Sequence, residues 1–185
     1  MFEKTFFRKE CLKRRKRLDL KAQTKAIAAH IEYFFEQHPF EIVGFYVPIH
    51  NEIDLQPVLM KLKEKQAIKT LALPKISKGQ MRYGVWVPGQ DLVKDDAQVP
   101  APRIITEVKP RCLLIPCLAI DGQGYRLGYG GGWYDRYLSQ IDIELTIGVL
   151  SEDFVFGRFS HEPHDRPLSG WVCENGFTWV KPPRQ

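Results

Sequence analysis

The chain has 185 residues, of which 44% are hydrophobic and 26% charged. That is an ordinary globular mix, long enough for one domain over 1–185 that buries roughly 70% of its unfolded surface without a metal or disulfide staple. The net charge of +5 is local: residues 1–21 hold nine Lys/Arg against three Asp/Glu, and the rest of the chain is nearly neutral.

Taken in chain order, residues 3–18 read as a charged helix. Phe6, Phe7, Cys11 and Leu18 recur at helical spacing, and no apolar stretch follows the basic residues, so the segment is not read as a secretory signal. Lys13, Arg14, Arg15, Lys16 and Arg17 read as a solvated face. Residues 20–37 form a second helix, with Leu20, Ile27, Ile31 and Phe34 on one side and Pro39 as its stop. Glu41–Val47 reads as a strand. Asp54 is placed as the N-cap of a helix through Lys65, with Pro57 in its early turns. Ile68–Leu73 is a strand ended by Pro74, and Met81–Val87 a further one, joined to it by a turn at Lys78–Gly79.

Residues 88–110, with four prolines, read as a surface connection. Cys112–Ile120 is the longest near-continuous apolar run, as in a strand buried on both faces. It falls far short of the roughly 20 residues that a membrane helix needs, so no spanning segment is expected. A glycine-rich loop, a helix near 132–140, a strand at Leu145–Leu150 and a last short strand at Trp171–Cys173 complete the chain. Strands alternating with helices predict an α/β fold, a three-layer sandwich whose mostly parallel central sheet is flanked by helices. Ligands in such folds sit beyond the C-terminal strand ends.

The cysteines are Cys11, Cys112, Cys117 and Cys173. They show no CxxC spacing, which gives a zinc site little support, and Cys112 and Cys117 fall on opposite faces of their strand. Free thiols in a reducing cytoplasm are expected. Pro163 lies within His161-x-x-His164 and argues against a metal pair there.

Chemistry concentrates in Asp121–Tyr137. Six of the 14 glycines fall between Gly122 and Gly132, after the most buried strand and before a helix. Successive backbone N–H groups and a helix N-terminus make an anion cradle, and Arg126 adds a forked donor. Neither GxxxxGK[ST] nor GxGxxG fits. Asp135, in the first turn, caps the helix or holds a phosphate-bridging magnesium ion; position alone leaves both open. Glu52 and Asp165 are placed similarly, each either a plain loop acid or a site acid.

The run Pro116-x-Leu-Ala-x-Asp121…Arg126-Leu-Gly-Tyr-Gly-Gly-Gly-x-Tyr-Asp135-Arg-Tyr-Leu138 resembles the signature of the 5-formyltetrahydrofolate cyclo-ligase family. Lys4-x-x-x-Arg8, Phe45–Asp54 and His164-Asp165-x-Pro167-Leu168 are similar to further family segments, in the same order. Cys117 stands where glycine is usual, Ile120 where Phe is usual, Trp133 where Tyr is common and Cys173 where Thr or Ser is common.

The resemblance implies ATP-dependent closure of 5-formyltetrahydrofolate to 5,10-methenyltetrahydrofolate, with ADP and phosphate released, by a cytoplasmic monomer that uses magnesium. It implies ATP contacts from Lys4, Arg8, Arg126, Leu127, Gly128, Tyr129, Gly130, Gly131, Gly132, Trp133 and Tyr134. It further implies a catalytic role for Arg126, folate contacts from Val47 and Glu52, and magnesium ligands in Asp135 and Asp165. Neither nucleic acid nor membrane is an expected partner. The rival readings are a non-catalytic RNA-binding module that uses the basic N-terminal helix, and an ATP-dependent relative acting on another formamide.

Overall fold

The computed structural model describes residues 2–158 and 160–182. The expectation of one domain over 1–185 therefore includes residues outside the described ones. Four helices are described: α1 (Phe2–Arg15), α2 (Lys21–Gln37), α3 (Gln56–Glu64) and α4 (Trp133–Gln140). None is long and apolar enough to cross a membrane.

The main sheet has eight strands. Its parallel centre runs in the order β12 (Gly170–Cys173), β10 (Leu145–Val149), β7 (Cys112–Pro116), β1 (Phe40–Gly44) and β2 (Ile68–Ser77). Antiparallel strands flank it: β13 (Gly176–Trp179) beside β12 at one edge, and β3 (Gln80–Trp86) then β6 (Glu107–Val108) beside β2 at the other. The sheet is thus mixed, where a mostly parallel one was expected.

Adjacent residues of one strand feed separate cores. Cys112 and Leu114 pack with Ile27, Ile31 and Phe35 of α2 and Leu59 and Leu62 of α3. Leu113 and Ile115 pack with Cys11 of α1 and Tyr137 of α4. This is why β7 reads as a continuous apolar run: both of its faces are covered.

Several local expectations are corrected. The run Cys112–Ile120 is two strands. β7 ends at Pro116, and the chain steps into a small sheet of β8 (Ala119–Asp121), β9 (Arg126–Leu127) and β11 (Val155–Phe156). β2 continues through Pro74 to Ser77. Its parallel neighbour β1 pairs only as far as Ala72, so Pro74 sits where β2 has β3 alone beside it, a position that tolerates proline. The Lys78–Gly79 turn is as read, with both residues at positive φ, the geometry that matches strand twist. Asp54 does not cap α3. Its carboxylate accepts the Gln56 N–H at 2.9 Å, while Leu55 occupies the cap position. The segment 88–110 is not wholly loop, since β4 (Leu92–Lys94), β5 (Pro100–Pro102) and β6 lie within it.

Candidate active site

The chain passes from β1 to β2 on one side and from β7 to β10 on the other, so the strand order reverses between β1 and β7. A crevice opens at such a reversal beyond the strand ends. Here it is a cavity of about 270 Å³, lined from β1 onward by Tyr46, Val47 and Glu52, from the end of β7 by Pro116, and from the glycine loop by Gly128 to Asp135.

The glycine-rich segment has two parts. Gly122 and Gly124 belong to a hairpin between β8 and β9, whose turn is held by the buried Asp121 accepting the Gln123 and Tyr125 N–H groups at 3.0 Å each. Gly128 to Gly132 form the loop at the cavity. Gly130 and Gly132 both have positive φ, and Gly132 starts α4 without a side-chain cap. The first amides of α4 have no intrahelical acceptor, which suits an anion.

Arg126 lies in β9 rather than within the loop. Its guanidinium, with the side chain only 4% exposed, meets the Asp135 carboxylate at 3.0 Å, donates to the Arg166 carbonyl at 3.2 Å and lies over the Tyr134 ring. Asp135 also accepts the Arg166 N–H at 3.1 Å. From α1, Arg8 donates to the Gly128 carbonyl at 2.9 Å and lies beside Gly130. Lys4 pairs with Asp165 at 2.8 Å. Burial would raise the Asp165 carboxyl, but the Lys4 hydrogen bond and the Glu162 N–H hold it below the usual carboxylate range.

Glu52 follows two consecutive left-handed residues, His50 and Asn51, which turn its side chain inward. The carboxylate is 3% exposed and accepts the Ile49 N–H at 2.9 Å and the Tyr129 hydroxyl. Burial pushes its pKa up, against the pull of Tyr129, Ile49 and Arg15. Burial also pushes the Cys117 thiol up to about 12, so that thiol is inert packing. All four cysteines are buried and free.

Val47, Glu52, Arg126, Gly128, Tyr129, Gly131, Gly132, Trp133, Tyr134 and Asp135 therefore line one cavity. Lys4, Arg8, Gly130 and Asp165 are not among its lining residues, and Leu127 is buried in β9 as packing. Tyr129 was expected on ATP, but its hydroxyl is directed to Glu52.

Arg15 was missed. It was read as solvated, yet it is only 4% exposed and donates to the His50 carbonyl at 3.0 Å, the Cys117 carbonyl at 3.2 Å and the Tyr129 hydroxyl. Lys4, Arg8, Cys11 and Arg15 form one helical stripe by their spacing, and that signal would have found it.

Fold and site together are those of an α/β enzyme with a glycine loop beside a part-apolar cavity. The chain belongs to the 5-formyltetrahydrofolate cyclo-ligase family, whose model matches residues 2–174. A 5-formyltetrahydrofolate cyclo-ligase of Escherichia coli K12 is 32% identical over 140 residues, 70% of this chain and 76% of that one. One from Mycoplasma pneumoniae is 25% identical over 90% of this chain and 95% of its own length. The solved structure of Aquifex aeolicus 5,10-methenyltetrahydrofolate synthetase superposes with a TM-score of 0.79 at 26% identity, covering 98% of this chain and 95% of that one.

Proposed function

We propose that the protein closes 5-formyltetrahydrofolate to 5,10-methenyltetrahydrofolate with ATP as the activating co-substrate. The formyl oxygen attacks the γ-phosphorus and ADP leaves. Nitrogen 10 then attacks the activated carbon, its proton passes to solvent, and phosphate leaves. One observation carries this reading: a single cavity joins an acid suited to a pterin, Glu52, to a glycine loop suited to phosphates.

Phosphoryl transfer asks mainly for positioning and charge neutralisation. The loop amides and the first turn of α4 hold the phosphates, with Arg8 anchored to the Gly128 carbonyl and Lys4, one turn earlier on α1, paired with Asp165. Arg126, oriented by Asp135, Arg166 and Tyr134, supplies a fixed positive charge where charge builds up. Glu52 accepts two parallel hydrogen bonds from the pterin amino group and ring N–H, and Val47 packs against the ring.

Among the described residues no three His, Cys, Asp or Glu side chains converge as a metal cage. Magnesium held chiefly by phosphates needs only one or two carboxylates, and Asp135 keeps free lone pairs beyond its contacts to Arg126 and Arg166. Asp135 would thus be the ion's protein ligand at the cavity, and the ion would contribute neutralisation of phosphate charge; Asp165, expected as a second ligand, is paired with Lys4 and does not line the cavity. A reducing cytoplasm suits the four free thiols.

The rival RNA reading depended on the basic N-terminal helix. There Lys4, Arg8 and Arg15 turn into the fold, and Arg14 pairs with Asp153. The test is to add magnesium-ATP and 5-formyltetrahydrofolate and follow the absorbance of the methenyl product. ATP-dependent growth of that band is the expected result. Its absence with folded protein and both substrates would overturn the reading.

A further inference from the structure

Arg15 has no place in the chemistry above, yet its side chain is only 5% exposed and sits between both halves of the site. The guanidinium is gripped by two carbonyls, those of His50 and Cys117, which fix its plane. Its remaining edge faces the Tyr129 hydroxyl and the Glu52 carboxylate, the latter at 3.9 Å. The backbone at the end of α1 and just after it joins the same knot, because Asn51 donates to the Arg15 and Leu18 carbonyls at 2.7 and 3.1 Å.

We propose that Arg15 is a positioning residue for the folate end of the site: directly and through the Tyr129 hydroxyl, it keeps the Glu52 carboxylate ionised and aimed into the cavity. This rests on the reading of Glu52 as the acid that meets the pterin.

The argument is electrostatic. A carboxylate that is almost fully buried favours its neutral form unless something opposes that. A neutral carboxyl presents one O–H donor, which would face the donors of a pterin. The charged and titratable groups around Glu52 are Arg15 from α1, Tyr46 beyond β1, His50 on its own turn, Cys117 beyond β7, and Tyr129 and Tyr134 from the glycine loop and α4. Burial raises the Tyr46, Tyr129, Tyr134 and Cys117 groups above their ordinary ranges, so they stay neutral. Arg15 is the fixed cation of that set. The Tyr129 hydroxyl receives a hydrogen bond from Arg15 and gives one to Glu52, so it passes the guanidinium's polarity to the acid.

The test compares wild type, Arg15→Met and Arg15→Lys by two readouts. The first is an NMR titration of the Glu52 side-chain carboxyl carbon, which needs no turnover. Its midpoint should rise by about one pH unit or more in Arg15→Met, because an opposite charge at this range is worth about one to three units. Arg15→Lys should return most of that shift. The second is the pH profile of kcat/KM for 5-formyltetrahydrofolate, whose acid limb should move with the NMR midpoint while KM for ATP stays within about twofold.

An unmoved Glu52 midpoint in folded Arg15→Met overturns the proposal, as does an equal loss of folate and ATP affinity, which would mark Arg15 as a mere tie for α1. If Arg15→Met does not fold, Tyr129→Phe decides: removing the hydroxyl relay should raise the Glu52 midpoint, and an unchanged midpoint overturns it. A wild type that turns nothing over would overturn the proposed reaction, and the NMR midpoint would still decide on Arg15.

Discussion

The Arg126 guanidinium and the Asp135 carboxylate meet at 3.0 Å, one from β9 and the other from the first turn of α4, and so close the Gly128–Gly132 loop into a ring. Neither residue alone defines the loop's shape; the pair does, with Arg166 touching both through its backbone.

Arg126→Ala opens that ring and removes a charge-assisted contact worth roughly 1.5–3 kcal/mol. kcat/KM for ATP should fall by about tenfold or more, with 5-formyltetrahydrofolate binding retained. ATP kinetics close to wild type in a folded variant would remove Arg126 from the phosphate site.

Asp135→Asn keeps the size of the side chain and an acceptor for Arg126, but leaves that buried guanidinium without its counter-charge. Stability should drop by about 1–3 kcal/mol. If Asp135 also holds magnesium, the magnesium concentration for half-maximal turnover rises, with partial recovery at high magnesium by mass action. Full turnover at an unchanged half-saturation would leave Asp135 as a partner of Arg126 alone.

The loop, its neighbouring helix and most cavity residues were legible because glycine, arginine and aromatic residues crowd one stretch, and few structural roles need that mixture. The break after Pro116 was not legible. Leu118 to Ile120 are as apolar as β7, and only their pairing with Leu127 and Arg126 shows that they have left the main sheet. Arg15 escaped because a lone charge within Lys13–Arg17 looks solvated, and its partners at His50, Cys117 and Tyr129 are distant in sequence. Asp54 offered a suitable cap residue one position too early. β13 was unread because Gly176–Trp179 is short, with side chains mostly half-buried.

Glu52→Gln should separate binding from stability. Burial raises the Glu52 pKa in the fold, so the folded state holds its proton to higher pH than the unfolded chain does. Wild type therefore loses stability as pH rises from near 4.5 through the raised value, whereas the glutamine variant does not. The difference in Tm should move in favour of Glu52→Gln between pH 4 and 7, measured by calorimetry. At neutral pH its KM for 5-formyltetrahydrofolate should rise while KM for ATP holds. A Tm difference independent of pH would contradict the burial argument.

Gly44→Ala tests the packing beneath the site. A Cβ at Gly44 would lie 2.4 Å from Leu113 and 2.7 Å from the Tyr83 ring. Overpacking of this kind costs about 1–3 kcal/mol, so the urea midpoint should fall while the m-value stays constant. An unchanged midpoint would mean that Leu113 and Tyr83 yield freely.

The Lys4–Asp165 contact spans 161 positions of sequence. Ribosomes add about 5–20 residues each second, so α1 emerges roughly 8–32 s before the acid that Lys4 meets. During that interval its basic stripe has no counter-charge from the far end of the chain. A helix made before the other described elements is thus fully seated only once the chain reaches residue 165, and a nascent chain halted before that residue should leave Lys4 open to amine-reactive labelling that the folded 185-residue chain resists.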